Sequence, residues 1–308
     1  MSVRRSRKWT PPVQILRDLL ARPDQLLVCP GVHDGFTARI ALDVGFDCLY
    51  MTGAGTSASR LGSPDLGLIS LPEMLANATM IASLDTSVPL IADADTGFGG
   101  TLSVARTVWA YINANIAALH LEDQAITKRC GHLNNKQLVS QDEYLSRIKA
   151  AVKAREESGR DIVLIARTDA LQSLGFEAAI ARLKAAVREG ADVAFLEGIL
   201  TTEQAHAVCQ ELSPTPCLIN MVPGGVSPIM SAAEAQSLGF KIQIWPILSL
   251  TEIYASTRRA MVELKETGLH KQPLNGAGKL RDVFGVCGMD RFAEFDGAIN
   301  ASSVYKKL

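Results

Sequence analysis

A closed barrel of eight parallel strands wrapped by helices, the TIM-type (β/α)8 α/β fold, is what this sequence predicts, on three observations. Eight short runs of apolar and β-branched residues recur along the 308-residue chain. Helical patterns, with apolar residues three and four apart, separate most of them. The runs are apolar almost without a break, which suits parallel strands covered on both faces. An open doubly wound sheet is the runner-up. It would carry a dinucleotide fingerprint, and "GAGTSASRLG" offers glycines after a strand but no G-x-G-x-x-G, with no acidic residue ending the next strand.

In order, the strand runs are "QLLVCPGVHDG", "FDCLYMTGAG", "PLIADADTGFGG", "AALHLEDQ", "DIVLIARTDA", "DVAFLEGI", "CLINMVPGG" and "KIQIWP". The clearest helices are "EYLSRIKAAVKAREESG" and "FEAAIARLKAAVREGAD". The second reaches Gly190 near its last turn, where a left-handed cap favours glycine. The pattern gives a single domain over residues 1–308. Residues 1–12 read as a flexible arm, because "MSVRRSRK" is basic and no apolar segment follows to make a signal peptide. From about 255 to 308, "STRRAMVELKETG" and "LRDVFGVCGMD" read as helices added after the barrel.

With 47% hydrophobic and 20% charged residues, the composition is that of a globular chain rather than a disordered one. A net charge of −1 gives no general attraction to nucleic acid or to an anionic membrane, so neither is an expected partner. No apolar run approaches the roughly 20 residues of a membrane span. The cysteines, Cys29, Cys48, Cys130, Cys209, Cys217 and Cys287, form no C-x-x-C pair. This suggests a reducing compartment, and a cytoplasmic location is expected. The closing "YKKL" only loosely resembles a peroxisomal address.

In such barrels, chemistry sits at the C-terminal strand ends. The polar residues there are His33 and Asp34, Thr52, Asp93 and Asp95, Glu122 and Asp123, Arg167 and Asp169, Glu197 and Asn220, with Pro246 ending the last run. Asp93 and Asp95, two apart, would point the same way along a strand. A divalent cation would remove their repulsion, with Glu122 as a third oxygen, and oxygen ligation favours Mg²⁺ or Mn²⁺ over zinc. The competing reading is that they cap the following helix. Arg167, ending a buried strand, needs an anion, either Glu197 or a substrate carboxylate. Gly53, Ala54 and Gly55 after Thr52 allow close backbone approach to an anion, or simply a tight turn. Asn220 either orients a substrate oxygen or satisfies backbone. His120 reads as a core histidine; His132 lacks a second histidine at zinc spacing. Cys130, within "TKRCGHLNNK", is the one cysteine in polar surroundings, where neighbouring cations can shift a thiol's pKa.

"ADADTGFGG", "HLEDQ", "KRCGH", "IARTDA" and "LEG", in this order and spacing, resemble the isocitrate lyase / phosphoenolpyruvate mutase superfamily, from about Leu26 to beyond Pro246. "KRCGH" after "HLEDQ" resembles its short carbon–carbon lyase branch. The resemblance implies that Asp93 and Asp95 bind Mg²⁺ partly through waters held by Asp65 and Glu122. It implies that the backbone of Thr52 to Gly55, beside Tyr50, takes a substrate carboxylate, and that Arg167 binds the oxygen that becomes the ketone. Glu197, Asn220 and Pro246 then line the pocket. Lys128, Arg129, Cys130, Gly131 and His132 lie on a loop that closes over the substrate, with Cys130 as proton donor. A homotetramer with a terminal helix swapped between subunits is also implied. The sequence departs from the branch at His33, where tyrosine is common; at Asn134 and Asn135, where a small pair is usual; at Pro223, where glutamate is usual; and at Pro246, where serine marks the members that hydrolyse oxaloacetate.

The expected activity is Mg²⁺-dependent cleavage of a 2-hydroxy di- or tricarboxylate, of the dimethylmalate or methylisocitrate kind, to a 2-oxo acid and a carboxylic acid. Hydrolysis of oxaloacetate to oxalate and acetate is the alternative. A non-catalytic metal- or metabolite-binding barrel is the alternative from another class.

Overall fold

The computed structural model of the protein describes residues 9–131, 133, 135–270, 279–300, 302 and 304. Its centre is a closed barrel of eight parallel strands in sequential order. These are β1 (Leu27–Val32), β2 (Leu49–Met51), β3 (Leu90–Asp93), β4 (Ala118–Glu122), β5 (Val163–Thr168), β6 (Val193–Leu196), β7 (Cys217–Asn220) and β8 (Ile242–Trp245). Each coincides with one of the eight apolar runs. Closure is made by β8 on β1, in register from Leu27 opposite Ile242 to Pro30 opposite Trp245.

The helices α1 (Pro12–Leu20), α2 (Gly35–Val44), α3 (Gly53–Leu61), α4 (Leu71–Leu84), α5 (Thr101–Asn113), α6 (Gln141–Ser158), α7 (Leu171–Leu174), α8 (Phe176–Arg188), α9 (Thr202–Leu212) and α10 (Ala232–Ser237) come before or between the strands, and α11 (Leu248–Thr267), α12 (Leu280–Val286) and α13 (Met289–Ile299) follow them. Local chemistry sets their ends. Asp34 accepts from the Thr37 N–H to start α2, which stops at left-handed Gly45. Ser140 caps α6 in the same way, and Gly159 ends it. Gly190 follows α8 at φ 106°, as its place in the sequence predicted.

Two apolar layers result. The larger lies between sheet and helices and includes Val104, Tyr111, Ile148 and Leu183. The smaller fills the barrel with Leu27, Ile91, Val163, Phe195, Leu218 and Ile242. Leu16 and Leu19 of α1 belong to this inner layer and close the bottom of the barrel. The chain is thus ordered and helical from Pro12, a helix the sequence reading did not anticipate; residues 1–8 of the expected arm lie outside those described. At the other terminus, α11 starts before the expected extension, and α11, α12 and α13 have no buried residue. Among the described residues, no helix is long and apolar enough to cross a membrane.

Candidate active site

At the C-terminal end of the strands lies a cavity of about 120 Å³. That is room for a small acid, well below the roughly 300–1,000 Å³ of drug-sized ligand sites. It brings together Tyr50, Thr52, Ala54, Asp65, Asp93, Cys130, Gly131, Arg167, Glu197, Asn220 and Pro246. All were expected from the sequence. Phe195, Val222, Ile244 and Ile247 add apolar wall. Asp95, Glu122 and Lys128 are buried but do not line the cavity. Arg129 is exposed, and His132 lies outside the described residues.

The acids are organised by the ends of β2, β3 and β4. Thr52 accepts from the Gly55 N–H as the cap of α3, so the small residues after β2 are the first turn of a helix and not a free-standing turn. The Gly53 N–H donates to Asp93 Oδ2 at 3.1 Å, and a Cβ at Gly53 would stand 2.4 Å from that oxygen. Asp93 therefore requires glycine there. The Asp95 N–H donates to Asp93 Oδ1 at 2.8 Å. Asp95 itself lies beyond β3, with φ at 46°. The expectation that a strand pleat aligns the two carboxylates is thus corrected: a backbone turn in the left-handed region, which aspartate tolerates, brings them together. His120 sits below, 2.8 Å from the Tyr50 hydroxyl and 3.4 Å from Asp93 Oδ1. Burial lowers its pKa to about 3, so the ring is neutral.

Lys128 was expected beside the thiol. Its ammonium instead lies between Asp65 Oδ1, at 2.5 Å, and Asp95 Oδ1. Desolvation opposes the charge, but Asp95, Glu122, Asp65 and Asp93 together hold this lysine protonated. Burial still pushes Asp95 up to about 6 and raises Asp93 and Glu122 as well. The acids outweigh their neutralising partner.

Arg167 answers the other open choice. It is clamped by Asp169 at 2.9 and 3.1 Å, faces Glu122 at 3.2 Å and Glu197 at 3.7 Å, and lies over the Phe195 ring. Asn220 donates to Glu197 Oε2 at 3.0 Å. The turn carrying Cys130 seats against this group. The Cys130 N–H donates to the Asp65 carbonyl, and Gln124 holds both backbone groups of Arg129. A Cβ at Gly131 would stand 2.4 Å from Arg167 Nη2 and 2.6 Å from Glu197 Cγ.

Comparison with known proteins establishes the family of this barrel. Residues 16–265 match the family described as phosphoenolpyruvate phosphomutase. The chain belongs to the isocitrate lyase / phosphoenolpyruvate mutase superfamily. Within it, the chain is similar to a structure of oxaloacetate acetylhydrolase in complex with the inhibitor 3,3-difluorooxalacetate, at 51% identity and TM-score 0.90, covering 94% of this chain and 97% of that one. It is equally similar to a structure of 2,3-dimethylmalate lyase, at 49% identity and TM-score 0.91, covering 95% and 96%. A more distant relative is phosphonopyruvate hydrolase in complex with oxalate and Mg²⁺, at 26% identity and TM-score 0.82, covering 94% and 99%.

Among the described residues, no cluster of three or more His, Cys, Asp and Glu side chains is spaced to hold an ion directly. The donor set nonetheless fits a hydrated divalent cation. Asp65 and Asp95 converge on one positive charge, and Glu122 Oε1 is buried with no hydrogen-bond partner. Hard oxygens in excess of local positive charge suit Mg²⁺ or Mn²⁺ retaining part of its water shell.

His120 is the core histidine that the sequence predicted, and it underpins Tyr50 and Asp93. Two residues of this site escaped the sequence reading. Asp169 was seen at a strand end but given no role. Lys136, the last cation of "TKRCGHLNNK", donates to the Gly131 carbonyl and to Asp169. A lysine in a polar loop reads as solvated unless its burial is known.

Proposed function

We propose that this carbon–carbon lyase cleaves a C3-substituted 2-hydroxy dicarboxylate of the 2,3-dimethylmalate kind to a 2-oxo acid and a carboxylic acid, with Mg²⁺ as its ion. One observation carries the reading. The turn bearing Cys130 lines the same small cavity as Asp93, Arg167, Glu197 and Asn220.

Asp93 and Asp95, with Asp65 and Glu122 through waters, would hold the ion, which lowers the pKa of a bound hydroxyl and offsets developing negative charge. At the first turn of α3, Thr52 and Ala54 line the cavity beside Tyr50 and would meet a substrate carboxylate, Ala54 through its backbone N–H, while the Gly53 N–H is committed to Asp93. Arg167, aimed by Asp169, receives the C2 oxygen as it becomes a ketone. Glu197 and Asn220 line the pocket beside Arg167. The C2 hydroxyl gives up its proton to a rim carboxylate, and its O–H electron pair becomes the C=O bond. The C2–C3 pair passes to C3 as a carboxylate enolate, and the Cys130 thiol delivers a proton there, leaving a thiolate that the proton released from the hydroxyl restores. Arg129 and His132 flank that thiol in the chain.

Pro246 favours the lyase over the hydrolase. It lines the cavity with no side-chain hydrogen-bond donor, and with Val222, Ile244 and Ile247 it makes an apolar wall suited to a methyl-bearing C3. Purified protein with Mg²⁺, offered oxaloacetate, 2,3-dimethylmalate, 2-methylisocitrate and isocitrate, tests this. Pyruvate release from 2,3-dimethylmalate is expected. Oxalate release from oxaloacetate alone would replace the lyase reading with the hydrolytic one, and silence on all four would leave a binding protein.

The exposed apolar side chains on α11 and α13, among them Tyr254, Met261, Phe292 and Phe295, support assembly into a homotetramer through these helices. Light scattering should then give about four times the 33.1 kDa chain mass.

A further inference from the structure

Lys136 carries no role in the reaction described above, yet its side chain is only 3% exposed. A lysine on a loop is ordinarily solvated, and a buried ammonium is retained where its partners satisfy it. Two partners do so. Nζ donates to the carbonyl oxygen of Gly131 at 2.5 Å and to Asp169 Oδ1 at 3.0 Å. The same Oδ1 accepts from Arg167 Nη2 at 3.1 Å, and Oδ2 accepts from Arg167 Nε at 2.9 Å. Gly131 directly follows Cys130, and its α-carbon lies so close to Arg167 and Glu197 that no side chain fits. A single ammonium therefore joins the backbone of the thiol-bearing turn to the carboxylate that aims the guanidinium.

We propose that Lys136 is a positioning residue for the cleavage reaction: it holds Gly131, and through it the Cys130 thiol, at a fixed setting relative to Arg167. The residue type follows from the geometry. A neutral donor could serve the carbonyl and a planar guanidinium the carboxylate, but a compact ammonium with three donors serves both from one point. The inference rests on the reading of Cys130 as proton donor, and its test is chosen to separate the two.

Lys136→Met keeps length and removes both bonds; Lys136→Arg keeps the charge. Turnover is measured on whichever acid of the panel the protein cleaves, and Cys130 alkylation by iodoacetamide is followed by peptide mass spectrometry. The buried Cys29 and Cys48 report folding in the same digest. In Lys136→Met, kcat should fall about 10–100-fold, the scale of a small misplacement of reacting groups, while KM stays within about threefold. Cys130 alkylation should rise severalfold with Cys29 and Cys48 still protected, and Lys136→Arg should recover part of both effects. Unchanged kcat together with unchanged Cys130 alkylation would overturn the proposal. So would a fall in kcat with no change in thiol reactivity, since Lys136 would then act only by neutralising Asp169. If Lys136→Met exposes Cys29, Lys136→Gln, which retains an amide NH2 and no charge, takes its place. If Cys130→Ser turns over normally while Lys136→Met unmasks the thiol, the proton-donor reading fails and the positioning role stands.

Discussion

At the bottom of the barrel, Arg17 donates to Asp161 at 2.6 and 2.8 Å and reaches Asp192 at 3.2 Å, while Arg155 meets Asp192 at 2.6 Å. At the rim, Lys128 sits between Asp65 and Asp95, and Arg167 among Asp169, Glu122 and Glu197. The residue types are the same and the electrostatics opposite. Below, cations and anions match one to one, and the hydrogen bond from Arg17 holds the Asp161 carboxyl under its usual range. Above, Asp93, Asp95 and Glu122 are all raised, chiefly by desolvation that their cations do not offset. The lower network fastens α1 to the barrel. The upper one buries carboxylates whose desolvation its cations do not offset, the kind of perturbation that clusters at functional sites.

Substitutions at the two ends should therefore separate activity from stability. The largest effect belongs to the rim: Cys130→Ser should lose about 10²–10⁴-fold in kcat, the usual worth of a general acid, while still binding substrate by calorimetry. Near-normal turnover would remove the thiol from the chemistry. Next, Asp95→Asn should cost at least about 10–100-fold in turnover or ion affinity, with a thermal midpoint equal to or above that of the parent because a poorly compensated buried charge is gone. A marked fall in the midpoint would mean that the rim is as structural as the bottom. Arg17→Met should do the reverse, losing on the order of 1 kcal/mol in denaturant unfolding with kcat unchanged.

The smallest effect is in pH dependence, and its sign differs between the ends. Asp95 titrates near 6 when folded, against about 3.9 for an unfolded aspartate. Between those values the folded chain takes up a proton that the unfolded chain does not, so ion-stripped protein should gain stability as pH falls through this window. Asp161 is displaced downward, so its contribution is complete above the unfolded value and drains as pH drops through the folded one. Unfolding curves in chelator across pH 3 to 7 should lose the first slope in Asp95→Asn and the second in Arg17→Met.

What could be read in the sequence was whatever one strand or one motif determines alone. The eight apolar runs located the eight strands, and the polar residues ending them located the cavity lining. Relations between segments were not legible. That Lys128 turns to Asp65 and Asp95 rather than to the neighbouring thiol depends on where "GSPDLG" is carried by α3. That Asp93 and Asp95 converge depends on a positive φ beyond β3, not on pleat alternation. Lys136 was passed over because burial, not identity, gives it its task, and His120, correctly read as core, did not disclose its partners Tyr50 and Asp93. Helix α1 was passed over because "PPVQILRDLL" follows a basic segment and packs against the barrel floor, a surface that exists only once the strands have closed.

The seat of Gly131 has a consequence for altering this protein's choice of acid. With no space for a side chain there, the gap between the thiol-bearing turn and Arg167 is set by bare backbone and resists resculpting. Larger molecules must be accommodated along the apolar lining, at Val222, Ile244, Pro246 and Ile247. Efforts to broaden or redirect selectivity belong on those residues, where trimming a hydrocarbon side chain opens volume and leaves every ion pair of the rim in place.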